Sequence, residues 1–381
     1  MSNRKWALLG NWSFIAGTPK GLSVYSYDAE TGNLTLQETI LPELCAGQQH
    51  FDYERSVDYV VNEIGHRKGE LGGGGYIMAL KVDRETGKVE LINEKESLAP
   101  EPSYCCLDKS GKYLIVVHHV DSGHVTKIRK ENGKYISETL FDDAAIVLFP
   151  VYEDGSLGDP CDVHIIKGIG YDLPYAIPHL HSVVPDPTGE LYVICDKGTD
   201  RIYSFKIDRG NGKLIHVSTT GTEVGTSPRY LTFHPTLPIL YVNYEKTAKV
   251  SAYKYSVDEG IIELLDDTRL LMDERSAEGI ERVEASDILI TKDARRLYVC
   301  IRGVNLISVM TVDEKGTLKV VQNVACSGDP RGLTLAPDGR FLFSCNMLAG
   351  TVSTFTVDTD GMLTFRDNSV KSVSPANMII I

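Results

Sequence analysis

Three arginines, three carboxylates and two histidines stand at two recurring positions of this 381-residue sequence. The first position opens short segments reading EPSYC, PHLHS, SPRYL, ASDIL, DPRGL and SPANM, where Ser103, His181, Arg229, Asp287, Arg331 and Ala376 fill it. The second lies five residues past a marker in a repeated apolar run and holds Asn11, His118, Asp196, Glu245, Arg302 and Asn346, with Ile64 and its neighbour Glu63 in one copy. Strand positions that only packed would be apolar or small. Guanidiniums grip a carboxylate, a phosphate or a developing oxyanion through paired hydrogen bonds. An imidazole near neutrality takes and returns a proton. These residue types therefore suit proton-transfer chemistry on an anionic substrate. His181 is the expected general base, Glu245 orients it or handles a proton, and Arg229 and Arg302 stabilise an oxyanion. Arg331, Asp287, Asp196, His118 and Asn346 complete the rings as candidates for binding the substrate. The competing account is a solvated channel lining laced with structural ion pairs.

Such residues act together only if the chain gathers them, and a repeat supplies the means. An apolar run recurs as KWALLG, DYVVNE, KYLIVV, ELYVIC, ILYVNY, RLYVCI and RFLFSC, with markers Trp6, Tyr59, Tyr113, Leu191, Leu240, Leu297 and Phe341. Each run is followed by two alternating strands around a Gly-containing turn, as in LSVYSYDAETGNLTLQE and ISVMTVDEKGTLKVV. Period-two alternation around Gly predicts a hairpin. Seven units made only of strands predict an all-β fold, a seven-bladed β-propeller spanning 1–381 as one domain with an insertion near 120–175. SPANMIII has no hairpin after it, so the C-terminal strand is expected to pair with the N-terminal one and close the ring, which protects the sheet edges. A two-domain β-sandwich would leave seven equal units unexplained.

Composition narrows the function further. A formal charge of −13 with no basic block argues against nucleic-acid or anionic-membrane partners, and the 42% hydrophobic and 24% charged content is that of a folded globular chain. No apolar run reaches membrane-spanning length and the first residues lack a secretory core, so a cytoplasmic location is expected. The eight cysteines include no CxxC and are expected to be buried free thiols. Alternation sends His118 and His119 to opposite strand faces, which argues against metal binding with His124; His179 and His181 share a face but make only a pair. No metal and no cofactor is expected. Gly72 to Gly75 precedes no GK[ST] and reads as a connector, and neither GxSxG nor HExxH occurs.

At PHLHSVVPDPTGELYVICDKGTDRIYSF, SPRYLTFHPTLPILYVNYEKTAKVSAY, ASDILITKDARRLYVCIRGVNLISV and DPRGLTLAPDGRFLFSCN, the sequence resembles the seven-bladed lactonase family that includes bacterial 6-phosphogluconolactonase and the fungal 3-carboxy-cis,cis-muconate lactonising enzyme. The resemblance covers nearly the whole chain. It implies that His181, Arg229, Glu245 and Arg302 occupy the positions proposed for catalysis, with Asp287 and Arg331 in support. The expected activity is metal-independent hydrolysis of a small anionic lactone or sugar substrate by a monomer or homodimer, most simply of the 6-phosphogluconolactone type. Lactonising or cycloisomerase chemistry on a carboxymuconate is the alternative enzyme, and a non-catalytic propeller binding a metabolite or protein partner is the alternative of another class. GNWSF, VVHHV and the insertion before His181 depart from the family pattern, and loops around the mouth set the substrate.

Overall fold

The computed structural model describes residues 5–12, 21–67, 69–120, 123–170 and 177–381. Seven four-stranded antiparallel sheets form the blades. The apolar runs become the second strand of each blade, counted from the axis: Lys5–Asn11, Val57–Asn62, Tyr113–His118, Tyr192–Asp196, Ile239–Tyr244, Arg296–Arg302 and Phe341–Asn346. They are not the strands that line the axis but lie one place further out. Sheet neighbours flank them on both sides and adjoining blades cover both faces, so Ile239–Tyr244 and Phe341–Asn346 are buried along their whole length, which is why they read as unbroken apolar runs.

The innermost strands are the segments just before those runs. They are Ala46–Asp52, Pro102–Leu107, Leu180–Pro185, Pro228–Phe233, Glu284–Ile290 and Pro330–Leu335 in blades 2 to 7. In blade 1 the innermost strand is Pro375–Ile380, paired antiparallel with Lys5–Asn11 so that Met378 faces Leu9. Each innermost strand touches those of the two adjacent blades, and the series closes on itself.

The outer half of every blade is a hairpin. In Leu22–Asp28 with Asn33–Ile40, and in Tyr76–Val82 with Val89–Glu96, the turn glycines Gly32 and Gly87 lie at φ 71° and 76°, a region that costs other residues strain. A Cβ there would also lie 2.6 Å from the Phe341 ring or 2.5 Å from that of Trp6. The hydrophobic core is repeated between blades rather than gathered at the centre. Ile115, Val117, Ile146 and Leu148 of blade 3 pack on Val183, Tyr192, Ile194 and Phe205 of blade 4, and Phe341 and Phe343 of blade 7 pack on Leu9, Tyr25 and Tyr27 of blade 1. The axis is thereby left to polar side chains.

The expected insertion is narrower than 120–175, because Ala144–Pro150 and Asp162–Ile166 are the outer strands of blade 3. What is inserted there is a separate two-stranded hairpin, His124–Glu131 with Lys134–Phe141, whose side chains are nearly all exposed. Part of the later connection, 171–176, lies outside the described residues. All eight cysteines are free, and six of them are buried. Among the described residues no helix is long and apolar enough to cross a membrane.

Candidate active site

The first ring owes its geometry to a repeated irregularity. In all seven blades the ladder between the innermost and second strands shifts register near the start of the innermost strand, for example between Leu180 and Ser182, Pro228 and Tyr230, and Pro330 and Gly332. The residues inside those shifts are His181, Arg229 and Arg331. A bulge re-aims the side chain it carries, here toward the axis. The same register places Ser103 and Ser286 in the ring, each hydroxyl donating to the backbone of the next blade, to Leu180 O (2.7 Å) and Pro330 O (2.6 Å). Asp287, expected in this ring, is one residue further along the strand. Its carboxylate accepts the backbone N–H groups of Leu333 (2.7 Å) and Ile288 (2.8 Å), and burial pushes it up to about 6.

The second ring needs a larger correction. Pairing aligns Asn62, His118, Asp196, Tyr244 and Asn346 as last residues of the second strands, so Glu245 and Arg302 belong one step later than His118, Asp196 and Asn346. Matching backbone hydrogen bonds define that next level: the N–H of Trp12, Glu63, His119, Lys197, Glu245 and Met347 donates to Ser374, Cys45, Glu101, His179, Ser227 and Asp329. Arg302 pairs with Glu284 in the corresponding place. The three residues one step earlier are used inside their blades. His118 Nδ1 donates to Ala145 O (2.8 Å). Asp196 accepts the backbone N–H of His179 (2.8 Å) and the Thr199 hydroxyl. Asn346 accepts from Ser344 Oγ and donates to Ser353 Oγ, both at 2.9 Å. Successive side chains of a strand point to opposite sides, so a one-residue error exchanges a blade-filling residue for a channel-facing one. Lys197, His119 and Trp12 escape the sequence reading for that reason.

His181, Arg229, Glu245 and Arg302 do come together. Glu245 is the hub, with Oε2 2.9 Å from Lys197 Nζ and 3.4 Å from Arg229 Nε, and Oε1 2.9 Å from Arg302 Nη2. Arg302 also reaches Glu284 at 2.8 Å. The Arg229 guanidinium lies 4.8 Å above the Tyr230 ring, and the His181 ring meets that ring edge-on at 5.0 Å. Tyr104 reaches from blade 3 to Tyr230 at 5.9 Å, so two tyrosines floor the cup. Arg331, buried in the same ring as His181 and Arg229, lies 5.2 Å from the Trp12 ring.

Burial works against the Glu245 charge, yet Lys197, Arg302 and Arg229 together hold its carboxyl well below the usual range. Burial, Arg229 and Lys197 keep His181 neutral, far below its ordinary value. Arg229 and His181 are 2% and 4% exposed. His181 Nδ1, Arg229 Nε and Nη1, and Arg302 Nε are buried without a hydrogen-bond partner, an arrangement that costs stability unless a ligand uses it. The His119 and His179 rings lie 4.6 Å apart, tilted by 36°, but His179 Nδ1 donates to the His119 carbonyl (2.6 Å). Among the described residues no three His, Cys, Asp or Glu side chains are arranged to hold a metal ion.

Fold and cup define a seven-bladed β-propeller with a cationic, imidazole-bearing mouth. The family model described as "Lactonase, 7-bladed beta-propeller" matches residues 12–380. The 6-phosphogluconolactonase of Bacillus subtilis is 25% identical over 316 residues, 82% of this chain and 81% of its own. Among solved structures, the periplasmic gluconolactonase of Pseudomonas aeruginosa superposes with a TM-score of 0.83 at 22% identity, covering 100% of this chain and 99% of that one. A protein from Lactobacillus plantarum gives a TM-score of 0.83 at 18% identity, with 99% of each chain covered. The chain belongs to the seven-bladed β-propeller lactonases, and it is a lactone-hydrolysing enzyme, a carboxylic ester hydrolase.

Proposed function

We propose that the substrate is an anionic sugar lactone of the 6-phosphogluconolactone type, hydrolysed in the cup by His181, Arg229, Glu245 and Arg302. The observation that carries this reading is the buried Nη1 of Arg229, without a hydrogen-bond partner, together with the unpartnered Nδ1 of a neutral His181. The name of the Bacillus subtilis relative supports the substrate class. In this reading Arg302, Lys197 and Arg331 attract the anionic group, while Arg229 donates to the lactone carbonyl oxygen. His181 takes a proton from water as the water oxygen attacks the carbonyl carbon. The oxyanion forms against Arg229, the acyl–oxygen bond of the ring breaks as the carbonyl re-forms, and the freed alkoxide takes a proton from an acid in the cup while His181 returns its own through solvent. Glu245 keeps three cations in place.

The test is a pH-stat assay over a panel of sugar and phosphosugar lactones, with a carboxymuconate included and spontaneous hydrolysis subtracted. Turnover of a phosphorylated lactone well above an uncharged one is expected. Consumption of the muconate alone would replace this reading with the lactonising one. His181→Ala is expected to keep the fold, judged by circular dichroism, and to lose roughly 10²- to 10⁴-fold in kcat. Undiminished activity would remove His181 from the mechanism.

A further inference from the structure

Two carboxyl side chains occupy the second ring of the cup in opposite surroundings. Glu245 is clasped by cations, as described above. Glu63 follows the second strand of blade 2 as Glu245 follows that of blade 5, its N–H donating to Cys45 O at 2.9 Å where that of Glu245 donates to Ser227 O at 2.8 Å. It is 9% exposed, and its Oε2 is buried without a hydrogen-bond partner. The Arg331 guanidinium is 3.9 Å from that oxygen, beyond hydrogen-bonding distance. The carboxyl turns in against Gly47, where a Cβ would lie 1.8 Å from Oε2. Gly47 thus leaves room in blade 2 at the level where blades 4 and 5 carry His181 and Arg229.

We propose that Glu63 is the proton donor to the leaving ring oxygen of the lactone, the acid that complements His181. The proposal rests on the hydrolytic reading given above. Burial pushes the Glu63 carboxyl up to about 8 even though Arg331, Arg229 and Lys197 pull it down, and Glu101 adds to the rise. Two carboxyls whose surroundings drive them apart in acidity are suited to different roles. As the tetrahedral intermediate collapses, the bond from carbonyl carbon to ring oxygen breaks, its electron pair goes to that oxygen, and the Glu63 proton completes the new hydroxyl. His181 holds the proton taken from water. Its passage back to Glu63 through solvent restores both groups, leaving one hydroxy acid for one lactone and one water.

The experiment compares the wild type with Glu63→Gln on 6-phosphoglucono-δ-lactone, using a stopped-flow pH indicator between pH 6 and 9 with background subtracted. The variant is expected to lose about 10²-fold in kcat, and the alkaline fall of kcat/KM expected of the wild type as Glu63 ionises near pH 8 is expected to vanish. Retention of more than a third of kcat, or an unchanged alkaline fall, overturns the proposal. Should Glu63→Gln fail to fold, Glu63→Asp and an infrared titration of the wild type decide. A buried protonated carboxyl band that the aspartate variant shifts, and that the second buried acid Asp58 therefore does not account for, must disappear between pH 7 and 9, and its absence overturns the assignment. A wild type inactive on every lactone sinks the hydrolytic reading itself, an outcome distinct from an active wild type matched by its Glu63 variant.

Discussion

An imidazole surrounded by cations is a weak base that is present as a base at nearly any working pH. Burial, Arg229 and Lys197 all disfavour the imidazolium of His181, and an arriving anion offsets the two cations just when the proton must be taken. The acid limb of kcat/KM reports the free enzyme, so it is expected well below pH 6.5 in the wild type. Lys197→Met removes a positive neighbour and should move the limb to higher pH, with kcat changing less than the limb. A limb that stays in place assigns it to another group. His181, Arg229, Glu245 and Arg302 are legible in the sequence because their types are out of character for packed strands. Lys197 is hidden beside Asp196, since only the strand pairing tells which of two adjacent polar residues faces the axis. Glu63 is hidden likewise beside Ile64.

At the scale of the strand, Val57–Asn62 carries a second buried acid unrelated to the cup. Asp58 is fully buried with both oxygens unpartnered, and burial pushes it up to about 8 from 3.8. The folded chain therefore keeps a proton that the unfolded chain has released. Its contribution to stability is complete below pH 3.8 and is lost as pH rises through 8, by up to roughly 1.4 kcal/mol per pH unit across that window. His118, lowered to about 4 by burial, acts in the other direction, losing stability as pH falls from 6.5 toward 4. Urea unfolding at pH 5, 7 and 9 should show Asp58→Asn gaining most over the wild type at pH 9. An equal difference at all three values would mean that Asp58 does not titrate in the folded strand. The bulges that aim His181, Arg229 and Arg331 are the least legible elements, because a single extra residue leaves the apolar pattern intact while turning one side chain inward.

For the whole molecule, seven runs and seven hairpins are readable because each blade repeats the same burial problem: a second strand covered on all sides and an outer pair covered on one. The ring is closed by Pro375–Ile380 in the sheet of Lys5–Asn11. Met378, Ile380 and Ile381 are buried there, so truncation after Ser374 should cost roughly 5 kcal/mol or more, seen as a large drop in Tm with loss of cooperativity. A truncated chain that melts like the full one would mean that six closed blades and an open seventh suffice. The strand order also constrains synthesis. The three outer strands of blade 1 are made before the other six blades and its innermost strand after them, so the nascent propeller must wait as an open crescent with the edge of Lys5–Asn11 bare. Until Pro375–Ile380 emerges, that edge is the place where a neighbouring chain could insert instead, and the rate at which the intervening blades are made bears directly on how much of the protein folds rather than aggregates.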